Sequence, residues 1–158
     1  MKIIILHIIQ FVTIILLIVV TGVFWGTWLA LTRSLNAFSL AEFIHNGKVI
    51  IANLATPMSI IFPICILSIL LTLKSSHKEC SKQFYFTLAA LVFILAALLI
   101  TLLVEVPIDK KINTWTVATA PPGWKDIRNT WGTFHVLRTL AALAGTICFI
   151  FPIVFYKK

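Results

Sequence analysis

Five residues in the C-terminal third of the chain, Trp124, Arg128, Trp131, His135 and Arg138, carry most of its capacity for chemistry. An imidazole moves protons near neutral pH, guanidinium groups hold anions, and indoles supply flat apolar walls. Their spacing is four, three, four and three residues, so a helix would carry all five on one stripe. The same steps continue to Ala142, Gly145 and Phe149, where the stripe becomes small and apolar, as on a helix face packed inside a bundle. This spacing predicts an inward-facing site in which His135 is a catalytic residue. A blander reading stands beside it: His135 as a hydrogen-bonded residue in a polar pocket, Arg128 paired with Asp126 or lipid phosphate, Arg138 as an outward-reaching anchor. Lys125 and Asp126 fall off the stripe and read as solvated.

The element that carries this stripe must sit in a membrane. Of the 158 residues, 60% are hydrophobic and 11% charged, which excludes an ordinary soluble core. Four nearly uncharged runs, about 3–31, 49–73, 84–105 and 134–156, are each long enough to cross a bilayer, which needs about 20 apolar residues. The first run is much longer than a signal core and lacks a small-residue cleavage site, so it is read as a retained span. Short connections between successive spans favour antiparallel neighbours, and the predicted fold is an all-α, four-helix transmembrane bundle with up-down topology. Only the connection at 106–133 is long and polar. Pro107 predicts that the third span ends near Glu105. Pro121 and Pro122, with Thr119 as a cap, predict that the last helix starts well outside the membrane and reaches into it.

Lys and Arg divide almost evenly between the two sides, six against seven, and do not set the orientation. Their character does more. Lys2, Lys74, Lys78, Lys82, Lys157 and Lys158 sit just outside span ends, whereas the other side holds all three Arg. Termini in the cytoplasm are therefore expected. All five Trp fall on the opposite side, Trp25 and Trp28 at the end of the first span and Trp115, Trp124 and Trp131 in or after the third connection. That asymmetry fits a functional face or an aromatic belt. The net charge of +8 is scattered at helix ends and points to anionic lipid headgroups, with no nucleic-acid partner. Gly22 and Gly26 would let a further helix approach the first span, within the bundle or between copies, and a homo-oligomer is expected.

In an up-down bundle the outer ends of the spans lie level. Trp25, Trp28 and Arg33 from the first, Asn53 from the second, Glu105 from the third, and His135 with Arg138 from the fourth should therefore meet. A buried carboxylate needs a cation, which predicts a Glu105–Arg138 ion pair. Asn53 and Pro57 in "IANLATPM" are expected to face inward, since an amide in hydrocarbon needs a partner. His7, His45 and His77 are the remaining histidines, and Cys65, Cys80 and Cys148 show no CxxC spacing. No metal site, disulfide framework or cofactor is predicted, although a haem or copper ion on His135 stays open if a second ligand lies close to it.

Several stretches together resemble one family. "GVFWGTWLALTRSL", "IANLATPM" and "TLLVEVPIDKKINTWTVATAPPGWKDIRNTWGTFHVLRT" are similar to the anthrone-oxygenase-like family of small four-span bacterial and fungal membrane proteins. The most specific part is "VEVPI", a Trp a few residues later (Trp115), and W-x3-R-x2-W-x3-H-x2-R. One departure is Asp109, where the family pattern is expected to carry Asn after "VPI". The resemblance implies oxidation of anthrones to anthraquinones without a flavin or haem motif. On that reading His135, Arg138 and Glu105 are catalytic, with His135 the base and Arg128 and Arg138 stabilising an enolate. Trp124 and Trp131 would sandwich the rings, and Trp115, Asp109, Asn113, Asn53, Trp25, Trp28 and Arg33 complete the expected substrate-binding set. The competing function is a non-enzymatic binding or accessory protein that grips a lipid headgroup or a partner's loop, which needs Arg128 and Arg138 turned outward.

Overall fold

The computed structural model describes residues 2–76 and 81–156; His77, Lys78, Cys80, Lys157 and Lys158 lie outside the described residues. Among the described residues every regular element is helical: α1 (Lys2–Ala30), α2 (Leu40–Ser76), α3 (Ser81–Ile100), α4 (Val106–Thr114) and α5 (Trp124–Phe155). A short 3-10 segment, Thr32–Ala37, joins α1 to α2. A π-helical turn, Thr101–Glu105, joins α3 to α4 without breaking the rod. Four of these rods are long and apolar enough to span a bilayer, and the chain is an integral, multi-pass membrane protein.

Their limits differ from the apolar runs in ways that local chemistry explains. α2 starts nine residues before the expected span because Ser39 and Glu42 form a capping box. The Ser39 amide and hydroxyl donate to Glu42 Oε2 at 2.8 and 2.7 Å, and the Glu42 amide donates back to Ser39 Oγ at 3.4 Å. The third rod does not stop at Glu105. Pro107 would crowd the carbonyl of Leu103 in a regular helix, and the widened turn just before it lets the chain run on to Thr114. Thr119 does not cap α5: its hydroxyl accepts from the Thr116 amide at 2.9 Å, and the helix begins five residues later. As expected, α5 is one continuous helix that starts outside its apolar run.

The rods form a ring in which α1 packs on α2 and α5, and α3 packs on the same two. In the half of the bundle nearer the chain termini Leu17, Phe62, Ile69, Ile94, Ala142 and Phe149 make a close-packed core. Gly145 lets α5 approach α3 there: a Cβ would lie 3.0 Å from Ile94 Cγ1 and 3.2 Å from the Ala90 carbonyl. The Thr21 and Thr146 hydroxyls pair across α1 and α5 at 2.8 Å. A second cluster at the end opposite the termini gathers Phe43, Ile108, Ile112, Trp115 and Trp131. Gly22 and Gly26 are exposed, with nothing within 4 Å of where a Cβ would stand, so they serve no packing within this bundle.

Candidate functional site

Between these two clusters the ring does not close. A cavity of about 430 Å³ remains, walled by all four rods, within the roughly 300–1,000 Å³ of small-molecule sites. Most of the wall is apolar, from Val23 and Phe24 of α1 to Leu54, Met58 and Phe62 of α2 and Leu98 of α3. The polar exceptions include Thr101, Asp109, Trp131 and Arg138.

Arg138 is the cation of this wall. Its Nη2 lies 3.0 Å from Glu105 Oε2, so the expected ion pair forms. Neither Glu105 oxygen has a hydrogen-bond partner among the described residues, so the contact is an ion pair without hydrogen-bond alignment. Glu105 is fully buried at the end of the π turn. The guanidinium also donates to His135 Nδ1, at 2.7 Å from Nη2 and 3.2 Å from Nε, and to Thr101 Oγ1 at 3.4 Å. It lies over the Phe24 ring, 4.7 Å from the centroid. Four groups thus hold one side chain.

These contacts also fix the hydrogen-bond roles of His135. A guanidinium only donates, so Nδ1 must accept. Nε2 lies 3.0 Å from the Phe24 carbonyl, which only accepts, so Nε2 carries the hydrogen. The ring is fully buried, stacked on Trp131 at 5.8 Å, and is not on the cavity wall. His135 is therefore not the free base that its place on the stripe suggests. It orients Arg138. A haem or copper ion does not fit here either, because both ring nitrogens are already bonded.

The group on the wall with acid–base capacity is Asp109. It accepts the Trp131 indole N–H on Oδ1 at 3.0 Å, which leaves further lone pairs on the carboxylate. Trp131 is thus held at its edge by Asp109 and on its face by His135, and forms part of the wall.

The remaining expected site residues are placed elsewhere. Arg128 is buried, but its guanidinium donates to the Leu35 carbonyl at 3.1 Å and to Asn36 Oδ1 at 2.8 Å, and lies over Trp124 at 5.3 Å. It ties the α1–α2 connection to α5, away from the cavity. Trp124 packs on Phe43 in a tilted arrangement at 5.8 Å, and Trp115 is buried in the same cluster, its carbonyl accepting from Lys48 Nζ at 2.8 Å. Neither can sandwich a ligand. Trp25 and Trp28 pack edge to face at 5.0 Å on the outside of α1, with Trp25 exposed, as in an aromatic belt. Arg33, Asn53 and Asn113 are exposed and off the wall. Asn53 turns outward because α2 gives the cavity its Ile50, Ile51, Leu54, Ala55 and Met58 side, which puts position 53 on the opposite face. A headgroup-binding site would need Arg128 and Arg138 outward, and both turn inward. Thr27, Ser59 and Thr101 are polar wall residues that sequence reasoning missed, together with most of the apolar lining, because nothing in their local spacing marks them.

The fold and cavity together define a small multi-pass membrane protein with a largely apolar, internally charged site between its helices. The chain belongs to the anthrone oxygenase family: the family model described as Anthrone oxygenase matches residues 49–148. No curated protein and no solved structure matches it.

Proposed function

We propose that this protein is a cofactor-independent oxygenase that oxidises a lipophilic aromatic, anthrone- or quinol-like molecule in the cavity between its helices. The observation that carries the reading is the pairing of a carboxylate, Asp109, with a fixed guanidinium, Arg138, on the wall of one apolar cavity. Family membership supports the choice of substrate class.

An anthrone presents an acidic ring CH2 opposite a ketone. Asp109 takes one of the CH2 protons, and Arg138 stabilises the enolate oxygen that results. The carbanion gives its electrons to dioxygen, a carbon–oxygen bond forms, and the hydroperoxide loses water to leave a second ketone. The balance is CH2 plus O2 to C=O plus H2O, so one oxygen atom enters the product and the other leaves as water. His135 and Glu105 act through Arg138: one accepts its hydrogen bonds, and the other supplies its counter-charge. Trp131 borders the flat ring on the cavity wall, one face already taken by His135.

The test is anthrone turnover by the purified protein, with one dioxygen consumed per ketone formed. Asp109→Asn keeps an acceptor for the Trp131 N–H but removes the base, so turnover should fall by about 10²–10⁴-fold. Oxidation no faster than the spontaneous rate would refute the reading. Its setting is a bacterial inner membrane with the termini in the cytoplasm, in contact with membrane lipids and without nucleic acid. Association of two or more copies through the outward face of Gly22 and Gly26 belongs to the same proposal; chemical cross-linking in native membranes reads it directly.

A further inference from the structure

The residues that line the cavity are not equally shut in. Those contributed by α1 and α5, including Phe24, Trp131 and Arg138, are buried or half-buried. The exposed lining residues outside α1 and α5 fall on two facing edges: Ala55, Ser59 and Pro63 on α2, and Leu102 in the turn after α3. A residue that both lines a cavity and meets the outside marks its mouth. This mouth therefore faces sideways, between α2 and the third rod, and is not at the ends of the bundle.

What lies outside it is readable from the neighbours. Ile60, Ile64, Leu99 and Leu103 flank the gap, and all four are strongly exposed apolar residues, Leu103 at 71%. In a helix that spans a bilayer such a surface meets acyl chains. The α2 edge keeps the gap open through small side chains at 55 and 59.

The interior is polarised along the same axis. Asp109 and its partner Trp131 stand near the end opposite the termini. Leu98 lies eleven residues earlier on the same rod, about 16 Å deeper at a helical rise. At that end Phe62 packs on Phe24, with ring centroids 6.0 Å apart. The ion-paired Arg138 sits between the two ends, seven residues below Trp131.

We propose that the cavity is loaded laterally from the bilayer, through a mouth between α2 and the third rod edged by Ala55, Ser59 and Leu102. It takes membrane-dissolved molecules with the ring that carries the ketone and the acidic CH2 up towards Arg138 and Asp109 and the remaining hydrocarbon down towards Leu98 and Phe62. This rests on the cavity being the substrate site, as proposed above. A ligand held this way never leaves the apolar phase, and only its ketone and the CH2 opposite it meet polar groups.

The test uses full-length protein in phosphatidylcholine nanodiscs and anthrone as the probe, with association followed by stopped-flow quenching of tryptophan fluorescence. The quench should be much reduced in Trp131→Phe. Ala55→Phe and Ser59→Phe place bulk in the mouth at exposed positions. Each should slow association by about tenfold or more, while Leu103→Phe, outside the mouth, should leave the rate unchanged. Equal rates in wild type and both mouth variants, with anthrone still bound, would overturn the lateral route and leave the site reading intact. Absence of anthrone binding to wild type would overturn both.

Discussion

Arg138→Met is the perturbation whose cost the structure specifies best. It removes the cation 3.0 Å from a carboxylate with no exposure and no hydrogen-bond partner among the described residues. Stranding one member of a buried ion pair costs about 3–5 kcal/mol, because the remaining charge keeps its desolvation penalty and loses its compensation. For a chain of this size each kcal/mol lowers the melting temperature by about 2–4 °C, so a drop of roughly 6–20 °C is expected. Glu105→Gln should cost less. The guanidinium left behind still has the His135 ring, the Thr101 hydroxyl and the Phe24 face. Glu105→Leu/Arg138→Met removes both charges, and its residual loss should be the unmet His135 Nδ1 acceptor, about 1–3 kcal/mol. Thermal unfolding of the four proteins in one detergent gives the comparison. A double variant as unstable as Arg138→Met, or an Arg138→Met shift below about 2 °C, would refute the view that an uncompensated Glu105 charge sets the penalty.

Arg128→Ala should lower stability by about 1.5–3 kcal/mol through its charged hydrogen bonds to Leu35 and Asn36. Anthrone binding per folded molecule should not change, because that guanidinium is not on the cavity wall. Gly145→Ala would press a methyl against Ile94 and the Ala90 carbonyl and should cost about 1–3 kcal/mol, read as a lower melting temperature. His135→Leu releases Arg138 from its acceptor without removing any group from the cavity wall. Turnover should fall while anthrone affinity stays near wild type, and an unchanged turnover number would remove His135 from the mechanism. Asp109→Asn is the complementary case, in which the chemistry should go and the Trp131 contact remain.

Much of the fold is legible from local pattern, because a bilayer leaves few solutions. Apolar runs of this length must be helices, and short connections make successive spans neighbours. The α5 stripe is also legible: Arg128, Trp131, His135, Ala142, Gly145 and Phe149 are all buried, as a four-three spacing requires. So is the Glu105–Arg138 pair, which follows from two opposite charges at one depth. The capping box in "SLAE" was available and sets the start of α2. The extension past Glu105 was not, since a Pro one or two residues after a span reads as its end unless a π turn absorbs it.

Facing inward is a property of one helix, and its period can be read along the chain. What an inward group touches depends on how neighbouring helices are rotated and shifted, and no single helix carries that information. His135 and Arg138 therefore look like equal partners on the stripe, although only Arg138 reaches the cavity. Arg128 looks like a second anion-binding group, although the connection after α1 and the neighbouring Asn129 supply its acceptors. Asp109, from a segment that reads as a polar connection, stands on the cavity wall because the π turn carries the third rod on past Pro107. Membrane span, helix number and the inward stripe come from composition and periodicity, and the division of that stripe into wall, support and strut comes from packing.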